Sequence, residues 1–424
     1  MVGQRILGRA GPLAPLAAGL FVVAAGMAVA QVLSYALSLI AARILQPSDF
    51  GAFSALLGVF MIGGTVALGV QAVAARRIAA GAAAAGAGAG AHLVRSGQVL
   101  AALTGVVCLL ISIPLAWLLS LPLLATMLVG LSLGVWTYGY VLIGIAQGRQ
   151  HHRQTALALL LIGGGRALGG LIAVLLVPSV TSIALGLLLG ITGGVIATWL
   201  IVHRGLGAPD PTARAMLTQT AHASHNLLAL YALTNLDVLL ARIVLTPAES
   251  GLYGVGVLMA KIAFFIPSSI LIVFYPRMAG PQRQRIVLAS AVLTLGIGAV
   301  LTAVVAIEGG LAAGFLGGPQ YTDISSWLWL FSLAGTMFAV VQVAVYARLA
   351  IRDEKAVYVV WTAVAVLAVA ALTLARDAPV VLVVCVNSVA LALTVALALL
   401  SLRRSRREGE VRGDLAAEGA PPLA

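Results

Sequence analysis

Residues 240–277 read LARIVLTPAESGLYGVGVLMAKIAFFIPSSILIVFYPR. An arginine, a Thr-Pro turn, a predominantly apolar run over about 252–275 and a basic loop follow one another, with no alternation of apolar and polar faces. At 1.5 Å per residue such a run crosses ~30 Å of hydrocarbon. Lipid offers the backbone no hydrogen-bond partner, so the run must be a helix. The pattern recurs along the whole chain. Apolar runs fall at about 15–42, 50–72, 94–119, 121–146, 156–177, 181–202, 223–245, 252–275, 286–307, 327–350, 357–375 and 379–401. The 424 residues are 61% hydrophobic and 9% charged. This predicts an all-α polytopic membrane protein with about 12 transmembrane helices.

The charges give an orientation. Arg5 and Arg9 precede the first run, and alternate loops carry Arg76, Arg77, Arg95, Arg149, Arg153, Arg204, Arg214, Arg277, Arg283, Arg285, Arg348, Arg352 and Lys355. The tail adds Arg403, Arg404, Arg406, Arg407 and Arg412, whereas the other side holds only Arg43, Arg242 and Arg376. The positive-inside rule then places both termini in the cytoplasm. The net charge of +12 is a topology signal, because its arginines are scattered over short loops where nucleic-acid binding would need one basic face. Ala28-Val29-Ala30 imitates a signal-peptide cleavage site, but the apolar run continues to Leu45, so the segment reads as an uncleaved first helix.

The stretch quoted above has a counterpart. ARIVLTPAESGLY, from Ala241, matches ARILQPSDFGAF, from Ala42, with one inserted residue. Gly51 to Arg77 and Gly251 to Arg277 then have the same spacing. Six spans separate the copies, so both halves share an orientation: two pseudo-symmetric six-helix bundles, 1–205 and 206–402, with a disordered cytoplasmic tail at 403–424. Thr246, Pro247 and Glu249 have the form of a capping box with proline at the first helical position. Arg43 and Arg242 close the preceding helices, where a cation meets the negative end of the dipole, and they are candidates for gating the outer mouth. Gly130 with Gly134, Gly186 with Gly190, and Gly310 with Gly314 have small-xxx-small spacing, and Gly163–Gly165 with Gly169 and Gly170 bare one flank of a span. GAAAAGAGAGAH at 81–92 reads as a flexible linker.

Three ionisable residues are clear cases of charge deep within spans, where each costs roughly 2.5–3.5 kcal/mol. Arg166 and Lys261 both come out near the midplane, one from each half, and are predicted to share a central cavity as the substrate-binding pair. Asp237, after Asn235 in the seventh span, is the candidate for coupling or gating. The bland readings are a hydrogen bond from Arg166 to backbone carbonyls and an ion pair of Lys261 with Asp237. Two cations sharing one intramembrane acid favour an anionic substrate. Pro267 removes a backbone hydrogen bond and predicts a hinge below Lys261. Cys108 and Cys385 lie in spans and imply no disulfide framework. No metal site is predicted, because His151, His152, His222 and His225 lack completing ligands. No Walker loop, Ser-His-Asp set or paired carboxylate is present, so neither a cofactor nor enzyme chemistry is predicted.

ARILQPSDFGAFSALLGVF with GVQAVAARRIA resembles the first hairpin of polysaccharide flippases in the multidrug/oligosaccharidyl-lipid/polysaccharide (MOP) superfamily. TNLDVLLARIVLTPAESGLYGVGVLMAKIAFFIPSSILIVFYPRMA resembles that family's seventh and eighth helices, including the turn at Tyr275-Pro276-Arg277, and FLGGPQYTDISSWLWLFSLAG its loop and tenth helix. The resemblance implies a MOP/MATE-like fold in the cytoplasmic membrane. It implies flipping of polyprenyl-diphosphate-linked oligosaccharide by alternating access, with Arg166 and Lys261 neutralising the diphosphate. The implied partners are the lipid-linked glycan, membrane lipids and other polysaccharide assembly proteins, around a monomer. Two alternatives stand beside it. A cation-coupled exporter of drugs or metabolites would need Asp237 for coupling, and the first span lacks the acid associated with such exporters. A glycan polymerase or ligase would be expected to carry a large outer loop, but the longest, about 308–326, holds only Glu308 and Asp323.

Overall fold

A computed structural model describes the backbone of residues 13–84, 89–203, 213–274, 283–349 and 355–417, with the side chains of most of these. Arg5, Arg9, the Tyr275-Pro276-Arg277 turn and the side chain of Pro267 lie outside the described residues, as do 85–88 of the expected linker. The described chain is helical almost throughout. Helices α1 (Leu13–Ile44), α2 (Pro47–Gly63), α3 (Thr65–Ala84), α4 (Ala89–Leu118) and α5 (Leu123–Gly148) are followed by α6 (His152–Leu159), a π-helical turn (Leu160–Gly164), α7 (Gly165–Leu176) and α8 (Val180–Val202). Then come α9 (Ala213–Leu233), α10 (Leu236–Val244), α11 (Pro247–Phe274), α12 (Arg283–Ile307), α13 (Gly309–Leu316), a 3₁₀ turn (Pro319–Ile324), α14 (Leu328–Leu349), α15 (Lys355–Leu374) and α16 (Pro379–Ala417).

Among the described residues, eleven helical stretches are long and apolar enough to cross a membrane, and the bent pair α9–α10 brings the number to twelve when it is counted as one span. Their outer surface is apolar: Phe21, Trp117 and Ile307 are each more than 70% exposed, as lipid-facing side chains must be. Two spans differ from their expected form. The second runs from Pro47 to Ala80, with α2 and α3 meeting at Gly64. The seventh, expected as one helix over 223–245, is bent by 42° between Leu233 and Leu236. Asn235 at the break has φ −134° and ψ −4°, and its side chain donates to Thr234 Oγ1 at 3.2 Å.

The backbone of α16 is helical through Ala417. Pro267 lies inside α11, whose helical backbone continues past it to Phe274.

By contacts the chain divides into two compact units, Met1–Tyr231 with Pro247–Gly251, and Ala232–Thr246 with Leu252–Ala424. In the first unit α5 packs against α3, α4 and α8, around a core of Val70, Val73, Leu100, Val141, Ile145 and Val202. Glycines let these backbones approach. A Cβ on Gly169 would overlap the Gly186 carbonyl, and one on Gly190 the Gly165 carbonyl, so α7 and α8 meet through bare backbone. Gly310 and Gly314 differ from that expectation: α13 is short and a Cβ on either would meet nothing within 4 Å.

Within the first unit, Pro247–Gly251 of the second copy of the repeated motif lies against the first copy. A Cβ on Gly51 would overlap Ser250 Oγ and come within 2.8 Å of Gly251 N, and one on Gly251 would overlap the Pro47 carbonyl. Both following helices start with proline at the first position, Pro47 and Pro247, where its missing N–H costs nothing. In the second unit α14 packs on α12 and α16, and α10 on α15 and α16. The turn at Asp377 donates its backbone N–H to the Val244 carbonyl at 3.0 Å, satisfying an orphan carbonyl at the end of α10.

Candidate functional site

In the first unit, α1 lies along the fifth span in a regular register. Ala156, Gly163, Arg166 and Gly170 meet Gly26, Ala30, Ser34 and Leu37 in turn. The π-turn Leu160–Gly164 falls between Ala156 and Arg166. A π-turn carries one residue beyond α-helical geometry, which turns everything after it by about 100° relative to an uninterrupted helix. The glycines of this stretch leave little side-chain packing to resist it. Arg166 comes two residues later and is only 4% exposed.

The guanidinium of Arg166 sits in an aromatic box. Its central carbon lies 5.3 Å from the Phe60 ring centroid and 5.8 Å from that of Trp136. Phe60 meets Trp136 edge-on at 5.1 Å, and Trp136 meets Tyr140 at 4.8 Å. Nη2 donates to Ser34 Oγ at 2.7 Å, while Nε is buried with no hydrogen-bond partner among the described residues. The expectation of backbone carbonyls beside the glycines is thus replaced by a hydroxyl and two ring faces. A charge-assisted hydrogen bond contributes about 1.5–3 kcal/mol and a desolvated cation–π contact up to about 2 kcal/mol. Together they offset the roughly 3 kcal/mol insertion cost of the cation. The charge is tolerated without being neutralised, and its buried N–H donor is left for an acceptor.

The second unit holds the other two charges. Asp237, 4% exposed, is in the first turn of α10, at the positive end of its dipole. Tyr253, fully buried on α11, donates its hydroxyl to Asp237 Oδ2 at 3.2 Å. Oδ1 has no well-formed hydrogen bond, and its compensation comes from the backbone amides of Asp237 and Val238 and from the Lys261 ammonium, which acts on it electrostatically. Tyr253 in turn packs edge-on against Phe331 at 4.9 Å. Below the group, Asn387 donates to the Leu330 carbonyl at 3.0 Å and the Val383 carbonyl at 2.9 Å. Arg43 and Arg242 occupy the last turns of α1 and α10.

Phe60, Trp136, Tyr140, Ser34 and Tyr253 went unnoticed in the sequence. The one local signal was the four-residue spacing of Trp136 and Tyr140 on an apolar helix. One basic residue assigned to a loop, Arg348, lies within a helix. Arg348 is buried at the end of α14, its Nη2 at 3.5 Å from the Leu397 carbonyl. Arg149 caps α5 and donates to the Val202 carbonyl at 3.1 Å, and partial burial lowers its pKa.

The bundle of long apolar helices with a few buried charges defines a multi-pass membrane protein. The chain belongs to the polysaccharide biosynthesis protein family, whose model matches residues 40–294. No curated protein matches it. Among solved structures, it is similar to an inward-facing multidrug resistance MATE family transporter of the MOP superfamily (14% identity, 87% of this chain and 94% of that one, TM-score 0.70). It is similar also to the lipid II flippase MurJ in an inward closed conformation (11% identity, 89% and 87%, TM-score 0.62). A MATE transporter of Vibrio cholerae, VcmN, aligns at 17% identity over 92% and 98% of the chains, with TM-score 0.62. At such identities these likenesses concern the fold.

Proposed function

We propose that the protein flips a polyprenyl-diphosphate-linked oligosaccharide across the cytoplasmic membrane by alternating access, supplying cell-surface polysaccharide assembly without covalent chemistry. Both termini lie in the cytoplasm, and the working unit is a monomer. The observation that carries this reading is Arg166, a buried cation whose described contacts are a hydroxyl and aromatic rings, with an N–H left to donate. A diphosphate supplies the missing acceptor oxygens, while the polyprenyl tail stays in lipid. Family membership favours a glycan as the cargo. The test is flipping of lipid-linked oligosaccharide in vesicles holding the purified protein. Arg166→Glu should abolish it, and Arg166→Lys, which lacks the planar fork, should slow it about tenfold or more. Full activity of the Glu variant would overturn the proposal.

Asp237 favours a coupled version of the same reading. A proton reaching its carboxylate would weaken its hold on Lys261. Asp237→Asn should therefore flip at a rate that ignores an imposed pH gradient. A variant still driven by that gradient removes Asp237 from coupling. If wild-type vesicles extrude organic cations and leave lipid-linked glycan in place, the exporter reading replaces the flippase.

A further inference from the structure

Ser34 touches Arg166 in a way that support alone does not require. Its Oγ accepts from Arg166 Nη2 at 2.7 Å and donates to the Ala30 carbonyl at 2.8 Å. That carbonyl lies one turn back along α1 and belongs to the backbone ladder of the helix, so the hydroxyl proton is supplementary there and free to turn elsewhere. Within the guanidinium plane, Nη2 shares an edge with Nε, the buried N–H that has no partner among the described residues. Three donors therefore converge: Nε–H, the Nη2 hydrogens and a hydroxyl that can rotate. A phosphoryl group presents acceptor oxygens alone, which matches a donor-only edge. Carboxylates are absent from the contacts described for this guanidinium, so nothing there repels the phosphate.

We propose that Ser34 is a positioning residue for the anionic group of the substrate, an inference that rests on the functional reading above. It holds the Arg166 fork in place before binding, then turns its hydroxyl from the Ala30 carbonyl to a phosphoryl oxygen taken up along the Nε–Nη2 edge. No bond is made or broken beyond hydrogen bonds.

The experiment measures equilibrium binding of sugar-free polyprenyl diphosphate, and separately of inorganic diphosphate, to the full-length protein in detergent. Ser34→Ala should weaken binding of the lipid about tenfold, the loss of one hydrogen bond to a charged group. Ser34→Thr keeps the hydroxyl and should bind as wild type does. Ser34→Asp gives Arg166 an internal carboxylate and should abolish binding. In an Arg166→Ala background, Ser34→Ala should add nothing, because the two act through one phosphate. Wild-type affinity in Ser34→Ala, failure of the Thr variant to rescue, or additive losses in the double variant would each overturn the inference. Wild type that binds neither probe sinks both this inference and the functional reading. Inorganic diphosphate bound as tightly as the lipid, with Ser34→Ala weakening both alike, sinks the lipid-linked reading and leaves the role of Ser34 standing.

Discussion

At the scale of single residues, the buried charges are compensated in two different ways. Arg166 is surrounded by aromatic faces and one hydroxyl, whereas Asp237 has a tyrosine, a helix N-terminus and an ammonium. Removing the tyrosine hydroxyl should be costly out of proportion to one oxygen atom. Tyr253→Phe keeps the ring on Phe331 but leaves Asp237 Oδ2 without its donor, at about 1–3 kcal/mol. Thermal unfolding in detergent should show a clear drop when Tyr253→Phe is made in the wild-type protein and a smaller one when it is added to Asp237→Asn, where no carboxylate remains to be satisfied. Equal drops would mean that the hydroxyl does not serve the carboxylate. The charges themselves were legible in the sequence, since any ionisable group in a long apolar run is conspicuous. The aromatic box was not, because Phe60, Trp136 and Arg166 come from three different spans and only tertiary packing brings them together.

At the scale of elements, glycine decides which helices touch. α7 and α8 approach through bare backbone, so Gly169→Leu should force them apart and destabilise the protein by about 1–3 kcal/mol. Gly310→Leu, at a position with nothing within 4 Å, should unfold like wild type. A matching loss at both positions would show that the close approach carries no energy. The spacing of small residues in the sequence found the first contact and also suggested the second, because spacing says nothing of whether a partner helix is there. Span positions were readable because bilayer thickness fixes their length. The break at Asn235 and the π-turn were not, since both are local departures from helical geometry. Asn235 lies in an apolar run, and the π-turn lies in a run of leucine, isoleucine and glycine that is equally compatible with an uninterrupted helix.

At the scale of the whole molecule, the repeat was readable by eye, and the structure adds that its copies meet. Gly51 and Gly251, at matching places in the two copies, are close enough that a side chain on either would strike the other motif. The contact has no room for a side chain, so Gly51→Leu and Gly251→Leu should each prop it apart and lower the thermal stability of the protein in detergent. Unfolding like wild type in both variants would show that the close approach carries no energy. The broken seventh span has a consequence for biogenesis. α10 has nine residues, spans about 14 Å and carries both Asp237 and Arg242, and α9 and α10 qualify as a crossing only together. On translocon scales each central charge costs about 2.5–3.5 kcal/mol. Asp237 meets the groups that compensate it, Tyr253 and Lys261, only when α11 has been synthesised. A nascent chain released after residue 246 should therefore leave its seventh segment poorly integrated, as scored by a glycosylation tag on the far side. One released after residue 276 should integrate it well, which would make the eighth span a membrane-embedded chaperone for the seventh.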